Sequence, residues 1–268
     1  MTANIHSQSN EFSKSSSNAT SDIVRQVAVI AAFISTIIVN ALANIIPFGG
    51  RTTGDLSDMY DVFFIPAGYV FSIWSLIYLG LGAYTVYQAI PAQRDNPQLR
   101  AIGWLFVLSC IFNSAWIFVW HYQFVGLSIL IMLALLASLM AIYSRLYSSY
   151  RLASSAEKII THWTFRVYLG WITVATIVNV TTFLDSSGYE GAPLAPEMWA
   201  AIMLAIATAI GLYFALKMRD VAYALVLVWA FVGIFIKFPE TPMVSYTALA
   251  MAILLATASV TTAIRTIR

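Results

Sequence analysis

Long apolar stretches separated by short polar segments make up most of the chain. Residues 1–21 come first; they are rich in Ser and Asn and contain no apolar run, which is typical of a disordered tail. Most of the stretches that follow contain the roughly 17–25 residues that a helix needs to cross a lipid bilayer. These stretches are residues 24–47, 66–90, 100–120, 124–146, 158–184, 196–216, 220–237 and 242–265. The pattern predicts an all-α fold, a polytopic bundle of eight membrane helices, of which the seventh is the weakest.

Composition supports this prediction. The 268 residues are 60% hydrophobic and only 10% charged, and the mean hydropathy is +0.80. A water-soluble domain usually has about 25% charged residues, because its surface must be hydrated. Most of this surface must therefore face lipid, and the bilayer is the expected partner. The chain has no basic block, so nucleic acid is not an expected partner.

The basic residues predict which ends of the helices face the cytoplasm. If the N-terminus is inside and eight spans follow, 12 of the 14 basic residues lie in inside segments. Only Arg51 and Lys237 fall in outer segments, which are otherwise acidic. Both termini are therefore expected in the cytoplasm, and the lack of an Arg-rich leader favours a bacterial plasma membrane.

Residues that could support catalysis or bind metal are few. Cys110 is the only cysteine, and His6, His121 and His162 are scattered without the spacing of a metal site. The sequence contains no phosphate-binding loop, dinucleotide fingerprint or nucleophile elbow. No ionisable pair is expected at mid-membrane on facing helices, which disfavours an ion-coupled transporter but leaves a passive one open. We expect no catalytic residue, no metal and no required cofactor.

Three of the predicted helices carry aromatic and amide residues along one face. The spacings follow the 3.6-residue period of a helix, and the groups lie at a similar depth, roughly 10–13 Å from the outer end. The stripes are Trp74, Tyr78 and Gly82 in the second helix, Asn113, Trp116 and Trp120 in the third, and Tyr168, Trp171, Ala175 and Asn179 in the fifth. Brought together, they would wall a pocket for a planar, amphipathic ligand.

A structural explanation of the same residues is also open. Trp and Tyr gather at membrane interfaces, as we expect for Trp120, Trp163 and Trp199. Asn113 and Asn179 could instead form hydrogen bonds to neighbouring helices.

In these stripes the chain resembles the tryptophan-rich sensory protein family (TspO/MBR), which includes the mitochondrial translocator protein. Tyr168-Leu-Gly-Trp171-Ile-Thr-Val-Ala175-Thr-Ile-Val-Asn179 follows the family pattern PYLxWxxFAxxLN in register. Asn113-Ser-Ala-Trp116 is similar to LNxxWxxxFF, and the segment from Pro66 through Trp74 and Tyr78 to Gly82 is similar to PPxWxxxxxWxxLYxxMG.

The resemblance implies a five-helix bundle over about residues 22–184, with a ligand pocket roofed by residues 48–65. Family ligands are tetrapyrroles, sterols in some members and synthetic aromatic compounds. By position, the implied ligand-binding residues are Pro66, Tyr69, Trp74, Tyr78, Asn113, Trp116, Tyr168, Trp171, Ala175 and Asn179.

Some positions depart from the family patterns. The double proline is Ile65-Pro66, the following Trp falls on Gly68, and Tyr69 beside it is the aromatic candidate for that place. The segment after Asn179 lacks the Tyr and Arg of the proposed cholesterol motif, so sterol binding is not expected.

Residues 185–268 lie outside this resemblance and predict three further helices that pack against or shield the bundle. A homodimer is possible through Gly80, Gly82 and Ala83, whose small side chains permit close helix association. The leading functional hypothesis is binding of a tetrapyrrole or similar flat molecule in a sensory or transport-modulating role. A passive transporter or exporter and a porphyrin-degrading enzyme are the alternatives. For the enzyme, the stripes contain only Trp and Tyr as candidate catalytic groups, and these do not support simple acid–base catalysis at neutral pH.

Overall fold

Eight long helices dominate the computed structural model, which describes the backbone of residues 2–188 and 194–267 and the side chains of residues 19–188 and 194–265. The predicted breaker Pro193 and the acidic residue Glu190 lie outside the described residues. The helices are α1 (Thr2–Ile45), α2 (Ile73–Ala89), α3 (Pro97–His121), α4 (Val125–Ser149), α5 (Thr164–Ser186), α6 (Pro196–Leu212), α7 (Val221–Lys237) and α8 (Pro242–Ile267). Across the described backbone there is no strand, which confirms the all-α prediction.

Seven of the helical segments are long and apolar enough to cross a bilayer, starting with Ala19–Ile45 within α1. The exception is α7, whose 17 residues extend about 25 Å. This is the stretch that the sequence identified as the weakest. The chain is therefore an integral, multi-pass membrane protein. One expectation differs: residues 2–21 continue α1 as helix from Thr2 rather than forming a disordered tail.

Local sequence explains where two of the helices begin. The Asn96 side chain accepts hydrogen bonds from the backbone N–H groups of Gln98 and Leu99 and so caps α3, which begins at Pro97. Asp220 caps α7 in the same way by accepting from the N–H of Tyr223. A π-helical turn, Lys158–Trp163, leads into α5, and a second one, Tyr213–Lys217, extends α6.

Helix α5 lies at the centre of the molecule. It packs against α2 and α4 on one side and against α7 on the other, and most of its side chains are buried. Helix α1 packs on α2 and α3, whereas α8 packs on α6 and α7. The first five helices therefore surround a common interior, and α6–α8 cover the far side of α5.

Two glycines allow α2 to approach its neighbours closely. A Cβ at Gly80 would lie 2.6 Å from Thr164 Oγ1 of α5, and one at Gly82 would meet the Phe33 ring of α1 at 3.5 Å. Both glycines therefore face other helices of the same chain, and of the three small residues only Ala83 is exposed. The homodimer stays a prediction.

Candidate functional site

A cavity of about 460 Å³ lies among α1–α5, beneath the connection between α1 and α2. All five helices and this connection contribute side chains to its wall, and none comes from α6–α8. The residues that line it are Ile37, Asn40, Ala41, Asn44, Thr52, Thr53, Gly54, Ser57, Asp58, Pro66, Gly68, Phe71, Trp74, Tyr78, Asn113, Trp116, Ile117, Trp120, Met132, Leu135, Trp171, Ile172, Val174, Ala175, Val178 and Asn179.

Aromatic rings form two groups in this wall. The Trp74 ring stacks on Tyr78, with centroids 5.2 Å apart, and meets the Trp171 ring edge-on at 6.3 Å. Trp116 stacks on Trp120 at 5.3 Å with an interplanar angle of 16°. Such flat faces favour planar, apolar ring systems as ligands.

Amide side chains supply most of the buried polarity. Asn40 Nδ2 donates to Asn113 Oδ1 at 2.8 Å, and Asn113 Nδ2 donates in turn to the Tyr168 hydroxyl at 3.0 Å. Asn179 Nδ2 donates to Ser128 Oγ at 3.0 Å, which joins α5 to α4. The hydrogen bonds expected between helices are thus present on residues that also line the cavity.

Three indole N–H groups in the wall have no acceptor. The Nε1 atoms of Trp116, Trp120 and Trp171 are buried and make no hydrogen bond to any described residue. A buried donor without a partner costs about 1–3 kcal/mol, so such groups favour a ligand that brings an acceptor.

The roof of the cavity contains a short helix, Thr53–Ser57, held by a capping box. The Asp55 N–H donates to the Thr52 side chain, and the Thr52 backbone N–H donates to the Asp55 carboxylate. The hydrogen bond from the Thr52 hydroxyl lowers the pKa of Asp55 below its ordinary value. Asp58, at the end of this helix, is the only charged residue among those that line the cavity.

The structure brings together eight of the ten residues proposed from the sequence. Pro66, Trp74, Tyr78, Asn113, Trp116, Trp171, Ala175 and Asn179 all line the cavity. Tyr168 is buried behind Asn113, to which its hydroxyl is bonded.

Tyr69 lies outside the cavity, so its predicted place among the ligand-binding residues is wrong. It is 43% exposed, and its ring packs edge-on against Trp229 of α7 at 5.3 Å. Residues Gly68–Ser72 form a 3₁₀ turn, in which positions three apart share a face. Gly68 and Phe71 therefore face the cavity, and Phe71 supplies the ring expected of Tyr69.

Sequence reasoning missed some of the wall. Asn40 and Asn44 of α1 line the cavity but were not predicted to do so. Their spacing of one helical turn, which places both amides on one face, was the signal that could have identified them. Trp120, for which the sequence left both the pocket wall and the membrane interface open, is 2% exposed and faces the cavity. By contrast, Trp163 is 40% exposed.

Two ion pairs join neighbouring elements away from the cavity. Asp22 of α1 accepts hydrogen bonds from Arg100 of α3 and lies 3.5 Å from Arg25. Arg166 Nε of α5 lies 3.2 Å from Asp220 Oδ2, in the connection before α7. Burial raises the pKa of Asp220, although Arg166 opposes this effect. Charge patterning alone did not indicate either pair.

Comparison with known proteins gives one match. No curated protein and no solved structure matches the chain significantly. The TSPO-like protein family matches residues 26–261, which extends past Leu184, where the motif resemblance ends, and includes α6, α7 and most of α8. Together with the shared motifs in α2, α3 and α5, this match shows that the chain belongs to the TSPO-like protein family.

Proposed function

We propose that this TSPO-like membrane protein binds a flat, amphipathic small molecule, a tetrapyrrole, in a sensory or transport-modulating role. The observation that carries the proposal is the single cavity walled by Trp74, Trp116, Trp120 and Trp171. Its volume of about 460 Å³ lies within the range of ~300–1,000 Å³ that is usual for small-molecule sites.

The chemistry of the wall supports a ligand with an apolar ring and acceptor atoms at its edge. The indole and phenol rings provide flat surfaces against which a macrocycle can stack. The unpartnered Nε1 groups of Trp116, Trp120 and Trp171 would donate to carbonyl or carboxylate oxygens on the ligand.

The surroundings of the cavity fit a membrane-embedded receptor rather than a catalyst. The lining residues contain one carboxylate and no histidine, cysteine, lysine or arginine. General acid–base chemistry at neutral pH needs a group of suitable pKa placed against the ligand, which favours binding over turnover. With both termini in the cytoplasm, the roof lies on the outer face and admits ligand from there.

The test is a titration of detergent-solubilised protein with protoporphyrin IX, followed by the ligand's visible absorption. We expect Trp171→Phe and Asn113→Ala each to weaken binding about fivefold to tenfold, because the first removes an unpartnered indole N–H and part of a flat surface and the second removes an amide from the wall. Trp104→Phe is the matched control, since Trp104 is 53% exposed and outside the cavity.

The comparison between these variants decides the proposal. Absorbance is preferred to tryptophan quenching, because losing any Trp changes the protein's emission. Equal affinities for the parent, Trp171→Phe and Asn113→Ala would show that the porphyrin does not occupy this cavity.

A further inference from the structure

The outer end of α7 is attached to the roof of the cavity. Lys237 Nζ donates to Asp58 Oδ1 at 2.6 Å, across 179 residues of chain. Beside this ion pair, the Phe238 ring packs against Phe63 at 5.2 Å. One turn earlier in α7, Gly233 O accepts a hydrogen bond from the Ala67 N–H at 3.2 Å. Helix α7 therefore contacts the connection between α1 and α2 at more than one point.

The two members of this ion pair differ in how far they are exposed to solvent. The Lys237 side chain is 26% exposed, whereas that of Asp58 is 61% exposed. Removing the carboxylate from Lys237 would leave a partly buried ammonium without its counter-ion, which is unfavourable. Asp58 itself would remain hydrated if it were released. Lys237 therefore needs a carboxylate more than Asp58 needs a cation.

The cavity wall offers no cation of its own. Its only charge is the Asp58 carboxylate, which would repel an anionic ligand at the roof. The Lys237 ammonium touches that carboxylate, so it is placed where it could neutralise a ligand anion at the roof. The only other cation that the sequence assigns to an outer segment is Arg51, which is exposed.

We infer that Lys237 is the carboxylate-recognition residue of the cavity, and that an acidic ligand binds by taking the place of Asp58 on its ammonium. The inference rests on the proposed function and adds a ligand class: planar molecules with a carboxylate at one edge. The exchange also frees the roof helix from α7, so binding of an acid, but not of a neutral analogue, loosens the roof.

The experiment compares protoporphyrin IX with its dimethyl ester, which keeps the macrocycle and loses both carboxylates. We expect the parent protein to bind the acid about tenfold more tightly than the ester, and Lys237→Gln to remove this preference by weakening acid binding alone. Lys237→Arg should restore the preference. Arg51→Gln is the matched control, because it removes the other outer cation and should keep the preference.

A second variant tests the exchange without touching Lys237. Asp58→Asn removes the competing carboxylate and should raise the ratio of acid affinity to ester affinity several-fold. If the parent binds acid and ester equally, or if Lys237→Gln weakens both to the same extent, the inference is overturned and the proposed function stands. If the parent binds neither compound, both are overturned.

Discussion

At the scale of single residues, the ion pair between Arg166 and Asp220 contains the least exposed charged side chain in the described part of the chain. Asp220 is 0% exposed, whereas the Arg166 side chain is 18% exposed and also lies 4.7 Å from the Tyr150 ring. Arg166 can therefore reach other partners, but Asp220 cannot. Breaking the pair should cost more when the arginine is removed than when the carboxylate is neutralised.

We predict that Arg166→Met lowers the free energy of unfolding by about 3–5 kcal/mol, because it leaves the buried Asp220 carboxylate unpaired. Asp220→Asn should cost less, since an asparagine keeps the cap on α7 and removes the buried charge. Denaturant titration in detergent micelles measures both values. Equal losses for the two variants would contradict this account.

The pH dependence of these variants should differ as well. Burial raises the pKa of Asp220, and loss of Arg166 raises it further. The folded state then holds a proton that the unfolded chain releases, so stability falls as pH rises above the ordinary carboxyl pKa. Arg166→Met should therefore regain stability as the pH is lowered. The double variant with Asp220→Asn should lack this response.

At the scale of helices, the packing of α2 on α5 depends on a small residue. In lipid, helix association depends on close packing rather than on a hydrophobic driving force. Gly80 lets α2 approach Thr164, whose hydroxyl donates to Ile160 O at 2.7 Å and is held in place. Trp74 and Tyr78 lie on the same helix, so the position of α2 also sets one wall of the cavity.

We predict that Gly80→Ala destabilises the protein by about 1–3 kcal/mol, because the new methyl group would overlap Thr164. Gly82→Ala is the matched control: its nearest neighbour would lie at 3.5 Å, an ordinary contact, and alanine favours the helix. Thermal unfolding of the two variants in one detergent makes the comparison. An equal shift in both would argue against the close approach at Gly80.

At the scale of the whole molecule, α6–α8 complete a structure whose cavity they do not line. Tyr223 of α7 donates to Thr173 Oγ1 of α5 at 2.9 Å, and the Trp229 Nε1 group donates to Val70 O at 3.0 Å. These contacts attach α7 both to the central helix and to the turn that supplies Phe71.

A chain ending at Gly188 should therefore keep the cavity-lining residues and lose their support. We predict a lower melting temperature in detergent and porphyrin affinity weakened by at least about tenfold, because α5 and the turn that supplies Phe71 lose their hydrogen bonds to α7 and Lys237 is removed. Unchanged affinity in a folded truncated protein would show that the first five helices position the roof alone.

Much of this molecule could be read from local sequence. Apolar length and charge distribution predict helices one at a time, so the eight helices and the membrane assignment needed no tertiary information. The 3.6-residue period likewise placed Trp74, Asn113 and Trp171 on faces that the structure turns towards one cavity.

Only the tertiary structure decided how these faces meet. In a membrane helix the buried and lipid-facing sides are both apolar, so the sequence carries little contrast between them. The sequence therefore did not indicate that Asn40 faces the cavity or that Tyr69 faces away, and for Trp120 it left the pocket and the membrane interface both open. The contact of Lys237 with Asp58 depends on how α7 packs beside the roof. The two residues are 179 positions apart, so no local sequence pattern could predict this contact.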